Sequence, residues 1–349
     1  MENGRLTPVA QSVTVFSEHP NETPTGSNDM KYKFFVGLPH QQAHAQFYHS
    51  VLGGEFVRFP SSVDEKNFPE RVLAEDGPDV IWFFNDLFYH LHPRLRGKQV
   101  LLGHGLGFMG NSVTRQRVEC IRRYIDRVFS TGVTNEVYRL RGGVPEDLIR
   151  RVGYTAVFEV PTVPLKPRSV LFSSTRYISW NHYENLREIL LRLDESLRGY
   201  LTFHPDTPQQ WQRIFRECCL KKKNLTLLEN FEQLLEACGF CEVNVGGGIS
   251  SLSTVFWYFK KPVILLRGRV SRNPFKGLGW QRIKNDAHTA LFRRVLDETD
   301  KISHWRQFSP ELIERARWAP SSREMFYPWN FDREATISKV KEYVRELEG

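Results

Sequence analysis

Short apolar runs alternate with amphipathic stretches along most of the chain, and the two periods predict different elements. Tyr32–Val36, Val80–Phe83, Gln99–Leu102 and Arg127–Ser130 are compact apolar runs of strand length. Gln41–Leu52 and Val113–Tyr124 instead carry apolar residues at helical spacing, and the first of them stops at Gly53-Gly54. Strands alternating with helices predict βαβ units, with parallel sheets covered on both faces. Phe158–Arg168 interrupts this rhythm with three prolines, which exclude a helix interior or a central strand, so it reads as a linker. The alternation then resumes with strands at Val170–Phe172, Tyr200–Phe203, Leu225–Leu228, Glu242–Val245 and Val263–Leu266. Helices at Tyr183–Leu197, Gln209–Cys219, Phe231–Ala237 and Ser251–Phe259 fall between them, and a last helical pattern covers Arg333–Leu347. The expected organisation is a flexible leader over 1–30, an α/β domain over 31–160, a second α/β domain over 161–330 and a C-terminal helix over 331–349. Two such halves predict a cleft between them, with ligands at the carboxyl ends of the strands.

Composition narrows the setting. The chain has 349 residues, 40% of them hydrophobic and 25% charged, which excludes a disordered or collagen-like protein. Five cysteines form no paired framework and point to a reducing compartment. No apolar run reaches the length of a membrane span, and the first residues lack the basic and apolar regions of a signal peptide, so a cytoplasmic location is expected. A net charge of +8 suits an anionic partner, and docking of the chain on an anionic membrane face is part of the expectation. Nucleic acid is not expected as partner, because the basic pairs (Arg122-Arg123, Arg150-Arg151, Lys260-Lys261) are dispersed rather than interleaved with aromatics.

Three loops at strand ends carry candidate chemistry. Gly103-His104-Gly105 sets a histidine between glycines directly after a strand, where an imidazole can take a proton and the backbone can approach a substrate. A simple surface turn gives the same residues. His204 ends a second strand ahead of Pro205. The third is the run from Gly246 through Gly247, Gly248, Ser250, Ser251, Ser253 and Thr254, ahead of an apolar helix. Free N–H groups, the positive helix end and hydroxyl donors there make a phosphate site. N-capping by Ser250 or Ser251 is the competing reading. The spacing of Gly105, Gly107 and Gly110 formally matches a dinucleotide fingerprint, but it lies deep in the first half rather than at its opening βα unit. Cys218-Cys219 with Cys238 and Cys241 reads as buried thiols rather than a zinc site. His90 and His92 are placed together on one face of a strand, as structural residues. No metal or other cofactor is expected, although Mg²⁺ carried by a substrate would leave no motif.

In their order, these pieces resemble the CDP-glycerol glycerophosphotransferase family of teichoic-acid and capsule synthesis. The resemblance covers about residue 98 to the C-terminus: His104-Gly105, Asp126–Tyr138, Gly153-Tyr154, Val170–Arg176, His204-Pro205 and Ser250–Ile264. It implies the GT-B fold, two Rossmann-like domains facing a cleft. It also implies a transferase that moves a polyol-phosphate or glycosyl unit from a nucleotide-activated donor to a phosphorylated or lipid-linked acceptor. His104 would be the base on the acceptor hydroxyl, beside Gly103 and Gly105. His204, Gly247, Gly248, Ser250, Ser251, Ser253 and Thr254 would hold the donor phosphates, helped by Thr175, Arg176 and Arg267. The chain has Gly-Gly-Ile-Ser-Ser where that family has Asp-Tyr-Ser-Ser, and Thr155-Ala156 where it has Pro-Arg. The Gly-Gly-Ile turn and the Pro262–Arg267 run are also similar to the non-hydrolysing UDP-GlcNAc 2-epimerases. A UDP-sugar glycosyltransferase or epimerase-like enzyme is therefore the alternative. A non-catalytic anion or nucleic-acid binder on a degenerate transferase fold is the second.

Overall fold

A computed structural model describes residues 15–16, 30–36, 39–58, 77–103, 115–174, 180–204, 207–246, 250–266 and 287–348. The first sheet is built from β1 (Val15–Phe16), β2 (Lys31–Val36), β3 (Glu55–Arg58), β4 (Val80–Phe84), β5 (Lys98–Leu102), β6 (Arg127–Ser130) and β7 (Ile149–Arg151). Their order is β1-β3-β2-β4-β5-β6-β7, with every pair parallel except the β1–β3 edge. Val15–Phe16 falls inside the expected leader yet pairs with Val57 and Phe56, so these two residues belong to the sheet. Helices α1 (Pro39–Leu52), α2 (Arg115–Tyr124) and α3 (Val133–Arg141) lie between these strands.

The second sheet contains β8 (Ser169–Ser173), β9 (Arg198–Thr202), β10 (Leu225–Leu227), β11 (Val243–Gly246), β12 (Val263–Leu266) and β13 (Asp300–Ile302). It is parallel throughout, in the order β10-β9-β8-β11-β12-β13. Its helices are α4 (Trp180–Leu191), α5 (Gln209–Lys221), α6 (Phe231–Phe240), α7 (Ser251–Tyr258) and α8 (Ala287–Glu298). After α9 (Pro310–Arg315) the chain crosses back, and α10 (Arg333–Glu348) packs Val340, Val344 and Leu347 onto the first sheet beside Phe34, Phe83 and Phe129.

The core follows the sequence pattern closely. β4, VIWFF, is buried at every position, as a central parallel strand flanked by helices on both faces must be. Two apolar layers sandwich the second sheet. Val170, Phe172, Val245 and Ile264 face α4 and α5, whereas Leu171, Val263 and Leu265 face α6 and α7. The second layer continues into the first half through Ala43, Tyr154, Ala156 and Val157, so one apolar cluster joins the halves.

Two expectations fail on local chemistry. The helix expected over Tyr183–Leu197 stops at Leu191, although Leu193 and Leu197 stay buried. There Asp194 Oδ1 accepts the N–H of Ser196 at 2.8 Å and turns the chain. His90 and His92 do not share a strand. Pro93 sits inside a one-turn 3₁₀ helix that begins at His92. His92 is fully buried, with Nδ1 2.6 Å from Gln99 Oε1, while His90 is exposed in the preceding turn.

Candidate functional site

Two of the three candidate loops lie at the carboxyl edge of the second sheet. β11 ends at Gly246, where a Cβ would come within 2.7 Å of Ser173 Oγ, so a larger residue would push β8 and β11 apart. Gly247 and Gly248 lie outside the described residues. Ser250 then caps α7: its Oγ accepts the Ser253 N–H at 3.2 Å, and the Ser253 hydroxyl lies 3.4 Å from the Ser250 N–H, which completes a capping box. Thr254 Oγ1 donates back to the Ser250 carbonyl at 3.1 Å. The helix therefore uses three of the four predicted hydroxyls itself, as the capping reading expects. Ser251 is half-buried and makes no side-chain hydrogen bond among the described residues. The first-turn N–H groups of Ser251 and Leu252 have no helical partner by position.

The loop of His204 lies at the same edge, next to β8. The Ser174 hydroxyl accepts the His204 N–H at 3.3 Å and meets Thr207 Oγ1 at 3.0 Å, while the Thr207 N–H donates to the His204 carbonyl at 2.8 Å. This closes a tight turn and leaves His204 half-buried. Beneath it, Asn244 is fully buried and its Nδ2 donates to the Leu171 carbonyl at 3.0 Å and to Ser173 Oγ at 3.2 Å. Its Oδ1 has no partner among the described residues. Thr175, Arg176 and Arg267 lie outside the described residues.

In the first half, Gly103 follows β5 and its N–H donates to Phe129 O at 2.9 Å. A Cβ there would come within 2.7 Å of Thr131 Cγ2, so packing alone requires a glycine. His104 and Gly105 lie outside the described residues. Next to Gly103, the first turn of α3 buries Thr134, Asn135 and Glu136. Glu136 receives Arg151 in a bidentate pair at 2.6 to 3.0 Å and the Tyr327 hydroxyl at 2.9 Å. Arg151 stays protonated further above its ordinary range because Glu136 hydrogen-bonds it, and burial beside the same carboxylate pushes the Tyr327 phenol up. The acidic first turn also suits the positive helix end.

The two halves meet at Tyr154. Its N–H donates to Asn330 Oδ1 at 2.8 Å, its ring stands edge-on to His44 at 4.9 Å, and its Oη lies 3.4 Å from the Ser251 carbonyl in the first turn of α7. Gly153 just before it adopts a φ of +115°, and a Cβ there would strike the Asn330 side chain at 2.6 Å.

The cysteines are free thiols, and burial pushes Cys238 up to about 12, which suits an inert core group. Among the described residues no three His, Cys, Asp or Glu side chains are grouped to hold a metal, and no helix is long and apolar enough to cross a membrane.

No protein-family model and no curated protein matches the chain. Solved structures do. MnaA of S. aureus, in a co-structure with UDP, superposes with a TM-score of 0.57 at 14% identity, over 90% of this chain and 97% of that one. A putative UDP-N-acetylglucosamine 2-epimerase from Listeria monocytogenes gives 0.56 at 12%, over 91% and 98%. HepE from Anabaena, in complex with UDP-glucose, gives 0.53 at 10%, over 91% and 100%. Such likenesses speak for the fold: the chain has two Rossmann-like α/β domains in the GT-B arrangement.

Proposed function

We propose that the chain is an enzyme acting on a UDP-sugar, the alternative set out above, in preference to CDP-glycerol transfer. The observation that carries this reading is the capped N-terminus of α7 at the carboxyl edge of the second sheet, directly after a glycine run. A diphosphate placed there meets the N–H groups of Ser251 and Leu252, the Ser251 hydroxyl and the positive end of the helix. The choice of UDP over CDP is supported by the whole-chain likeness to proteins described as UDP-GlcNAc 2-epimerases or solved with UDP-glucose.

The chemistry follows from the leaving group. When the bond between a sugar's anomeric carbon and the diphosphate breaks, negative charge grows on the phosphate oxygens. Fixed N–H donors at α7 stabilise that charge more than they stabilise the intact donor. Gly247 and Gly248 let the backbone approach the phosphates, Arg176 and Arg267 add positive charge, and Thr175 and His204 add hydrogen-bond donors. His104, between Gly103 and Gly105, is the base that takes a proton from the hydroxyl of an acceptor.

The test is turnover. Purified protein is incubated with UDP-GlcNAc, UDP-glucose and CDP-glycerol, each with and without a hydroxyl acceptor, and released nucleotide and epimerised sugar are quantified. Turnover of a UDP-sugar, lowered at least about 100-fold in His104→Ala, is the expected result. Turnover of CDP-glycerol alone would overturn the proposal.

A further inference from the structure

His182 lies in the first turn of α4, packed against the last residue of β12, and is 1% exposed. Its Nδ1 is 3.3 Å from the Leu266 carbonyl oxygen. A carbonyl only accepts, so Nδ1 carries the proton and Nε2 is left with a bare lone pair. That Nε2 is buried and has no partner among the described residues. Burial also holds the imidazole neutral.

A purely structural side chain at this place would be apolar. The neighbouring positions are: Tyr183, Leu186, Ile264 and Leu266 all belong to the apolar layer on this face. An acceptor shut away from water without a donor is destabilising, and native cores avoid it unless something else satisfies it. Leu266 closes β12 and α4 follows β8, so the ring lies at the same carboxyl edge as the capped start of α7.

We infer that His182 is a binding residue that accepts a hydrogen bond from the nucleoside part of the bound nucleotide. This inference rests on the UDP-sugar reading above. Phosphate oxygens are themselves acceptors and gain nothing from Nε2. The donors a uridine nucleotide offers are its ribose hydroxyls and its base N–H, and either satisfies the nitrogen. The division of labour is then clear: the first turn of α7 supplies donors to the diphosphate, and the first turn of α4 supplies an acceptor to the nucleoside. Nε2 is shielded in the unliganded chain, so contact involves a side-chain adjustment of the kind common on binding.

The experiment is calorimetric titration of UDP, 2′-deoxy-UDP and inorganic pyrophosphate into the full chain and its His182→Leu and His182→Asn variants, with thermal unfolding of each unliganded protein. His182→Leu is expected to weaken UDP about fivefold to tenfold, to leave pyrophosphate unchanged and to leave the unliganded melting temperature level or raised. His182→Asn keeps a side-chain carbonyl and recovers part of the loss. If 2′-deoxy-UDP binds wild type as weakly as UDP binds His182→Leu, and the variant costs it nothing more, the donor is the 2′-hydroxyl. An undiminished variant effect on 2′-deoxy-UDP assigns another hydroxyl or the base N–H. Unchanged UDP affinity in both variants, or an equal loss for pyrophosphate, would overturn the inference while leaving the UDP-sugar reading in place. Wild type that binds neither UDP nor pyrophosphate would instead remove that reading, and the inference with it.

Discussion

The hydroxyl of Tyr154, in the first half, reaches the backbone carbonyl of Ser251, in the first turn of α7 in the second half, at 3.4 Å. Ser251 directly follows the cap residue of the proposed phosphate site, so a side chain from one domain touches the turn proposed to hold the diphosphate in the other. The rest of Tyr154 is held by Asn330 and His44, and its ring is fully buried. Removing only the hydroxyl, in Tyr154→Phe, should cost at most about 1 kcal/mol of stability, since one long neutral hydrogen bond is lost. UDP affinity should fall a few-fold as the turn loses its tether. Thermal unfolding and calorimetry on the same variant separate the two effects.

The capping box makes a sharper claim about Ser250. Ser250→Ala removes the acceptor of the Ser253 N–H and should destabilise the chain by about 1 kcal/mol, as cap losses do. UDP should bind more weakly as well, because the turn that presents the Ser251 and Leu252 N–H groups loses its fixed geometry. Ser253→Ala removes the 3.4 Å contacts of its hydroxyl with the Ser250 N–H and hydroxyl but keeps its own N–H on the cap, and should be milder on both counts. Urea unfolding at constant slope, followed by UDP titration, checks the ranking.

Glu136 holds two partners from distant segments at once, Arg151 and Tyr327. Glu136→Ala leaves the Tyr327 hydroxyl and Arg151 without their shared acceptor. Arg151 is 55% exposed and regains water, so the cost should sit near about 2 kcal/mol, below the range for fully buried pairs. Tyr327→Phe loses both the hydrogen bond to the Glu136 carboxylate at 2.9 Å and the neutral one to Ser130 at 3.1 Å, and should cost about 2 kcal/mol. Shifts of the urea midpoint in the two single variants and the double variant test this, with the double less than additive.

Acid should destabilise the fold through two histidines. Burial lowers both His92 and His182 to about 4, against an ordinary 6.5. Below pH 6.5 the unfolded chain takes up protons that the folded chain refuses, so stability is full above 6.5 and falls as pH drops toward 4. At about 1.4 kcal/mol per unit, each contributes a loss of roughly 3 kcal/mol by pH 4. The Glu346 carboxyl, held below its usual range by Arg150, adds to the same trend. Unfolding free energy measured from pH 7.5 to 4.5 should slope accordingly, and His182→Leu should reduce the slope.

The sequence made the strands legible because central parallel strands bury every side chain. Val80–Phe84 and Val263–Leu266 are unbroken apolar runs and nothing else fits them. Periodicity alone does not reveal helix α3, because its buried face is Thr134, Asn135 and Glu136, which read as solvent residues until Arg151 and Tyr327 arrive from distant segments. β7 and β13 are three residues each, too short for a period to emerge. The glycine-serine run announced α7 and its cap together, since both depend on local chemistry. His182 carried no such signal. Its one polar side-chain contact among the described residues is with Leu266, 84 residues away, and it looks like any residue of a first helical turn.

The central claim is that the first turn of α7 holds the diphosphate of a UDP-sugar. Hydrogen–deuterium exchange with and without saturating UDP tests it most directly. The account predicts protection concentrated at the amides of Ser251 and Leu252, and reduced in Ser250→Ala when wild type and variant are compared at one sub-saturating UDP concentration. UDP that binds with no protection there, or that leaves the exchange of the whole chain unchanged, would contradict it.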